Sequence, residues 1–249
     1  MPTNTATGSA VRRFHPRPEA TVRLVCLPHA GGSASAYFGL SRDLSPEIDL
    51  LAVQYPGRQD RREEACLTDL HEMAAEVVAG ILPYLDRPVA LFGHSMGATV
   101  AFESARLLER EHGHTPARLF LSGRRAPCTQ RPDSVHRRDD AGLLAEVRLL
   151  SGTASAVLED EEIMRMALPA LRGDYTAIET YRPEPGVVTA APLTVLTGSD
   201  DIRTSADEAA AWARHSTTEC AVHTFTGGHF FLNDHLAAIA RLVERHLLG

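Results

Sequence analysis

The sequence predicts an α/β fold, a mostly parallel central sheet flanked by helices on both faces. Three observations lead there. Short apolar, β-branched runs alternate with segments whose apolar residues recur every three to four positions. Glycine-rich turns follow several of the apolar runs. The 249 residues, 44% of them apolar, suit one large domain with a full core.

Val22 to Leu27 reads as a buried strand that stops at Pro28. Pro28-His29-Ala30-Gly31-Gly32 is a glycine-rich loop, and Ser33 is placed to cap a helix to about Leu44. Leu50 to Val53 is a second strand, ended by Pro56-Gly57. Leu70, Met73, Val77 and Ile81 share one face of a helix over Thr68 to Leu82, with Thr68 as its cap. Val89 to Phe92 is a third strand. A helix starts just after Ser95 and runs to about Glu111, where Gly113 ends it. Leu119 to Leu121 is a fourth strand.

The alternation then breaks. About seventy residues separate Leu121 from the next clear strand, Leu193 to Leu196, and a simple crossover needs far fewer. Helical segments near Ala141 to Leu150 and Glu159 to Glu179 fall in this stretch. The expectation is a helical cap, or lid, inserted over residues 127–189 between two halves of a core, 21–126 and 190–249. A helix from Ser205 to Ala213, a strand from Ala221 to Phe225, a Gly227-Gly228-His229 loop and an amphipathic helix from Leu232 to Leu248 complete the chain. Residues 1–20 lack a long apolar run and carry Arg12, Arg13, His15 and Arg17 among prolines. They read as a loose arm, neither signal peptide nor membrane span, and a cytoplasmic location is expected.

Charge and composition exclude several functions. The formal net charge of −7 argues against nucleic acid as the main partner. All 25 basic residues are arginine, which rules out lysine Schiff-base chemistry and a Walker phosphate loop. Cys26, Cys66, Cys128 and Cys220 form no CxxC pair and read as reduced thiols, so no metal site is expected.

The chemistry centres on Gly93-His94-Ser95-Met96-Gly97. It fits G-x-S-x-G and lies directly between an apolar strand and a helix, as a nucleophile elbow requires. A serine hydroxyl needs a base in hydrogen-bond reach, and the base needs an orienting carboxylate. In the α/β-hydrolase fold these follow in the order Ser, Asp or Glu, His. His229, in the loop before the last helix, is the candidate base among twelve histidines. Two aspartates, Asp200 and Asp201, follow the Leu193 to Leu196 strand. The spacing from Gly198 selects Asp201 and leaves Asp200 as a solvated or helix-capping neighbour. The backbone N–H groups of Ala30 and Met96 are the candidate oxyanion hole.

Together, Leu27-Pro28-His29-Ala30-Gly31-Gly32, Gln54-Tyr55-Pro56-Gly57-Arg58, Gly93-His94-Ser95-Met96-Gly97, Leu121-Ser122-Gly123, Leu171-Arg172-Gly173-Asp174-Tyr175 and Gly227-Gly228-His229-Phe230-Phe231 resemble the type II, or external, thioesterases of polyketide and nonribosomal peptide synthesis. The likeness runs from about Val22 to the C-terminus. It implies hydrolysis of stray acyl groups from the phosphopantetheine arm of acyl or peptidyl carrier proteins. No cofactor is implied beyond the phosphopantetheine that the substrate carries. Ser95, Asp201 and His229 would form the triad, with Ala30 and Met96 as oxyanion donors. One departure is Asp201-Ile202, where many relatives have Asp-Pro.

Two further expectations concern specificity. Leu143, Leu144, Leu149, Leu150, Met164, Met166 and Leu168 of the cap line an acyl pocket or form the cap's own core. Carrier proteins are usually acidic, so docking calls for a local basic patch, with Arg58, Arg61, Arg62, Arg124, Arg125, Arg137 and Arg138 as candidates; the same residues equally read as a solvated arginine-rich surface. Two other functions fit the same triad: a carboxylesterase or lipase acting on oxygen esters, and a non-catalytic binding protein of the same fold.

Overall fold

A computed structural model describes residues 10–129, 131–151 and 161–249. Its centre is a seven-stranded sheet: β1 (Val11–Arg12), β2 (Val22–Leu27), β3 (Ile48–Val53), β4 (Val89–His94), β5 (Leu119–Ser122), β6 (Leu193–Gly198) and β7 (Cys220–Phe225). The spatial order is β1-β3-β2-β4-β5-β6-β7. Only β1 is antiparallel to its neighbour; every other pairing is parallel. The central strands β3, β4, β5 and β6 are buried at every position. Their continuous apolar runs, without in-out alternation, follow from helices covering both faces.

The helices are α1 (Phe38–Asp43), α2 (Leu70–Ile81), α3 (Met96–His112), α4 (Asp140–Ser151), α5 (Glu161–Thr180), α6 (Ala206–Ala210) and α7 (Leu236–Leu247). On one face, α2 and α3 close a core around Met73, Val77, Phe102, Leu91 and Trp212. On the other, α1 and α7 close a second core around Tyr37, Phe92, Phe120, Ile239 and Val243. None of the described helices is long and apolar enough to cross a membrane.

Two local expectations need correction. The helix at 70–81 is capped by Asp69, not Thr68: the Asp69 carboxylate accepts from the backbone N–H groups of His71 and Glu72. Ser33 makes no side-chain cap; a 3-10 turn at Ala34–Tyr37 leads into α1 instead.

The loose arm is corrected for its described part, residues 10–20. Val11 and Arg12 pair with Val53 and Ala52 at the sheet edge. The Arg17 guanidinium donates to the backbone carbonyls of Ser45, Ile48 and Ser41. Phe14 packs edge-on against Phe38 at 5.5 Å. This segment covers the exposed edge of β3, which would otherwise offer unpaired backbone groups.

Between β5 and β6 the chain leaves the sheet, and α4 and α5 pack on each other. Val135, Leu143, Met164 and Leu171 form a separate small core there. Parts of the proposed lid at 130 and 152–160, including Glu159, lie outside the described residues. Strands β2, β4, β6 and β7 all end at the same rim of the sheet, where ligands bind in parallel α/β folds.

Candidate active site

Each functional segment leaves the carboxyl end of a parallel strand. Ser95 joins β4 to α3 with φ 54° and ψ −119°, a left-handed backbone that a serine adopts only under constraint. The flanking glycines make the turn possible. A Cβ at Gly93 would collide with the backbone carbonyl of Gly97, and a Cβ at Gly97 with that of Leu27. The Ser95 N–H donates to the carbonyl of Ser122 at 2.8 Å, which ties the elbow to the end of β5.

The three residues expected to act together meet here. Ser95 Oγ is 2.9 Å from His229 Nε2. His229 Nδ1 is 3.1 and 3.0 Å from the two carboxylate oxygens of Asp201. That geometry sets the tautomer: Nδ1–H donates to Asp201, and Nε2 accepts the Ser95 hydroxyl proton. Asp201 is also held by the Arg203 backbone N–H at 2.8 Å. His229 and Asp201 are buried, whereas Ser95 remains partly exposed. Asp200 is exposed; its carboxylate accepts from the Ser199 hydroxyl and does not reach the imidazole.

His229 sits in a nest of rings. His94 and Phe230 lie 5.2 and 5.3 Å from it, and His29 packs edge-on to Phe230 at 4.8 Å. Burial pushes the His94 imidazole well below its usual range, and the neighbouring His229 and His29 add to this. His29 is lowered to about 4, first by burial and then by His229. Both rings are therefore neutral at pH 7. His94 Nδ1 lies 2.9 Å from Ser122 Oγ, which locks the ring that supports His229.

Ala30 and Met96 line the cleft beside Ser95. The next residue, Gly31, donates its N–H to the buried Asp174 carboxylate of α5 at 2.7 Å. The other Asp174 oxygen pairs with the Arg58 guanidinium, which also donates to the carbonyl of Pro56. This buried clamp joins three sequence motifs, and residue types alone do not reveal it.

Two cavities meet at the nucleophile, and Ala30, Ser95, Leu150, Tyr175 and His229 line both. One is wide, about 840 Å³, with Val147, Met164, Leu171 and Phe230 on its walls. The other is narrow, about 60 Å³, and is lined by Arg124, Arg125, Arg131, Arg203 and Asp133. Of the cap residues expected at the pocket, Leu150 and Met164 line a cavity. Leu143 belongs to the small cap core, while Leu149 and Met166 are exposed.

The expected basic patch is largely absent from the outer surface. Arg58 and Arg61 are buried and paired with Asp174 and with Glu64 and Glu76. Arg124 and Arg125 face the narrow cavity. Only Arg62, Arg137 and Arg138 of that set stand exposed.

Known proteins carry the same arrangement of elements. Thioesterase PikA5 of Streptomyces venezuelae is 48% identical over 248 residues, covering 99% of this chain and 88% of that relative. The solved structure of the type II thioesterase BorB from the borrelidin biosynthetic cluster superposes with a TM-score of 0.91 at 47% identity, over 98% of this chain and 100% of that one. YbtT, a type II thioesterase from the yersiniabactin NRPS/PKS pathway, gives 0.85 at 31% identity, over 95% and 97%. The Thioesterase domain family matches residues 22–247, and the chain belongs to that family.

Proposed function

We propose that this protein hydrolyses acyl thioesters through an acyl-serine intermediate, and that its substrates are acyl groups on the phosphopantetheine arms of carrier proteins. The observation that carries the reading is the unbroken relay from the Ser95 hydroxyl through the His229 imidazole to the Asp201 carboxylate, at 2.9 and 3.0 Å, open to a cleft.

In the first half-reaction Ser95 Oγ attacks the thioester carbonyl while His229 Nε2 takes its proton. Asp201 stabilises the imidazolium that results. The oxyanion is held by the N–H groups of Ala30 and Met96, aided by the positive end of α3. Collapse expels the thiolate, which takes the proton from His229. In the second half, His229 activates a water that cleaves the acyl-serine and frees the acid. No cofactor takes part other than the phosphopantetheine borne by the substrate.

The relatives come from polyketide and nonribosomal peptide pathways. That supports an editing role, clearing unwanted acyl groups from carrier proteins, and with it a cytoplasmic location. The test is hydrolysis of a panel of acyl-loaded carrier proteins beside the matching oxygen esters. Thioester turnover by the wild type and none by Ser95→Ala is the expected result. Preference for the oxygen esters would overturn the reading in favour of a carboxylesterase. Absence of labelling by a fluorophosphonate probe would overturn it in favour of a binding protein.

A further inference from the structure

Two residues that abut the nucleophile elbow take no direct part in the proton relay. His94 precedes Ser95, and Ser122 ends β5. They are direct partners in the register of β4 and β5, so their side chains leave the sheet side by side. Ser122 holds the elbow at two points. Its carbonyl accepts the Ser95 N–H at 2.8 Å, and its hydroxyl oxygen lies 2.9 Å from His94 Nδ1. Both side chains are buried.

Among the described residues, that hydroxyl is the one hydrogen-bond partner of the His94 ring, and Nε2 has none. The aromatic neighbours supply packing without a directional bond: His229 at 5.2 Å, Phe230 at 5.3 Å, and Phe231 and His29 at 6.1 Å each. A ring that is packed but not bonded can turn about its outer torsion, which is broad. The Ser122 hydroxyl removes that freedom. The next residue, Gly123, gives the ring its space. It has φ +60°, and a Cβ there would stand 2.6 Å from His94 Cε1. The Leu121-Ser122-Gly123 segment thus supplies a hydroxyl that holds the ring and a missing side chain that admits it.

The ring matters for what it faces. His229 must aim Nε2 at Ser95 Oγ while Nδ1 stays on Asp201, at 2.9 and 3.0 Å. Both bonds are made at the edge of the imidazole, so its tilt depends on what packs beside it. His94 and Phe230 do so, at interplanar angles of 45° and 78°. A ring in this position must also stay uncharged, because His229 becomes an imidazolium during the reaction. Burial ensures that by pushing His94 well below its usual range. We propose that Ser122 is a positioning residue for the catalytic base: its hydroxyl fixes the His94 ring, and that ring fixes the tilt of the His229 imidazole between Ser95 and Asp201.

The inference rests on the Ser95–His229–Asp201 relay of the proposed function and not on the kind of ester cleaved. Two substrates separate these: an acetyl thioester of pantetheine and p-nitrophenyl acetate, an activated ester that a working serine relay cleaves. Ser122→Ala deletes one oxygen, needs no new space and keeps the carbonyl that holds Ser95. It should lower kcat about tenfold on both substrates and change KM less than about threefold, since a misaimed base loses transition-state stabilisation and not binding. The far-downfield proton NMR resonance of His229 Nδ1–H should shift or broaden, a signature that looser packing of β5 alone would not move. In a His94→Phe background, Ser122→Ala should change kcat less than about twofold, because the ring no longer offers an Nδ1. If His94→Phe does not fold, kcat and the resonance of Ser122→Ala decide alone.

Wild-type kcat in Ser122→Ala, or a lower kcat with an unmoved resonance, would overturn the inference. So would equal losses in the wild-type and His94→Phe backgrounds. Wild-type cleavage of p-nitrophenyl acetate but not of the thioester would overturn the thioesterase reading, and the Ser122 comparison would then be decided on the oxygen ester. Cleavage of neither would overturn the relay and this inference with it.

Discussion

The carboxylate of Asp174, on a helix of the segment between β5 and β6, accepts the backbone N–H of Gly31 at 2.7 Å. Gly31 follows Ala30, the proposed oxyanion donor. The position of that donor is therefore set by a side chain 143 residues away along the chain, and α5 is joined to the loop that must hold the developing negative charge.

Asp174→Asn should lower kcat by about tenfold or more with a smaller change in KM. A misplaced oxyanion donor removes transition-state stabilisation and leaves ground-state binding largely intact. Asp174→Ala should in addition cost about 3–5 kcal/mol of stability, because it strands the buried Arg58 guanidinium. Steady-state kinetics and urea denaturation of both variants check this. An unchanged kcat in a folded Asp174→Asn variant would reduce the clamp to a structural tie.

The two adjacent aspartates should separate cleanly. Only Asp201 reaches the imidazole, at 3.0 Å, while Asp200 is exposed. Asp201→Asn should lower kcat by roughly 10³- to 10⁴-fold, since an amide no longer favours the working tautomer of His229. Asp200→Asn should change kcat less than about threefold. Rates with a common thioester decide it, and equal losses would contradict the assignment.

Much of this site was legible in the sequence because its signals are local. Gly93 and Gly97 flank Ser95 within one strand-turn-helix, and the Gly227-Gly228-His229 loop precedes a helix with a clear apolar face. Residue type and spacing are enough for such units. The Asp174 to Gly31 bond was not legible, because nothing local ties position 174 to position 31. Arg124 and Arg58 were read as surface residues for the usual reason that arginine is solvated; only the fold turns them inward. The Val11–Arg12 strand is two residues long, too short for any periodicity, and either Thr68 or Asp69 satisfies a capping rule by type.

The elbow should tolerate no added methyl group. Ser95 already holds a positive φ, and the collisions at Gly93 and Gly97 are with backbone carbonyls that have nowhere to move. Gly93→Ala and Gly97→Ala should each cost about 1–3 kcal/mol or more and yield little folded protein. Gly228→Ala meets nothing within 4 Å and has no positive φ, so its stability should match or exceed that of the wild type. Denaturation midpoints of the three variants test the contrast; a stable, active Gly93→Ala would refute this account of the turn.

Stability should fall as the solution is made acidic from pH 6.5. His29 is lowered to about 4 and His94 is lowered as well, in both cases chiefly by burial. Between the ordinary imidazole value and the depressed one, the unfolded chain binds a proton that the folded chain refuses, so protons favour unfolding over that range. At about 1.4 kcal/mol per pH unit, His29 alone accounts for up to ~2 kcal/mol lost between pH 6.5 and pH 5. His215, His223 and His246 are lowered too and add to the slope, so the measurement has to be a difference. Urea denaturation of the wild type and of His29→Gln at pH 7.5 and pH 5 supplies it. The variant should lose less stability over that interval than the wild type. Parallel losses in the two proteins would mean that His29 is charged in the folded state at pH 5 and would overturn this account of the ring nest around His229.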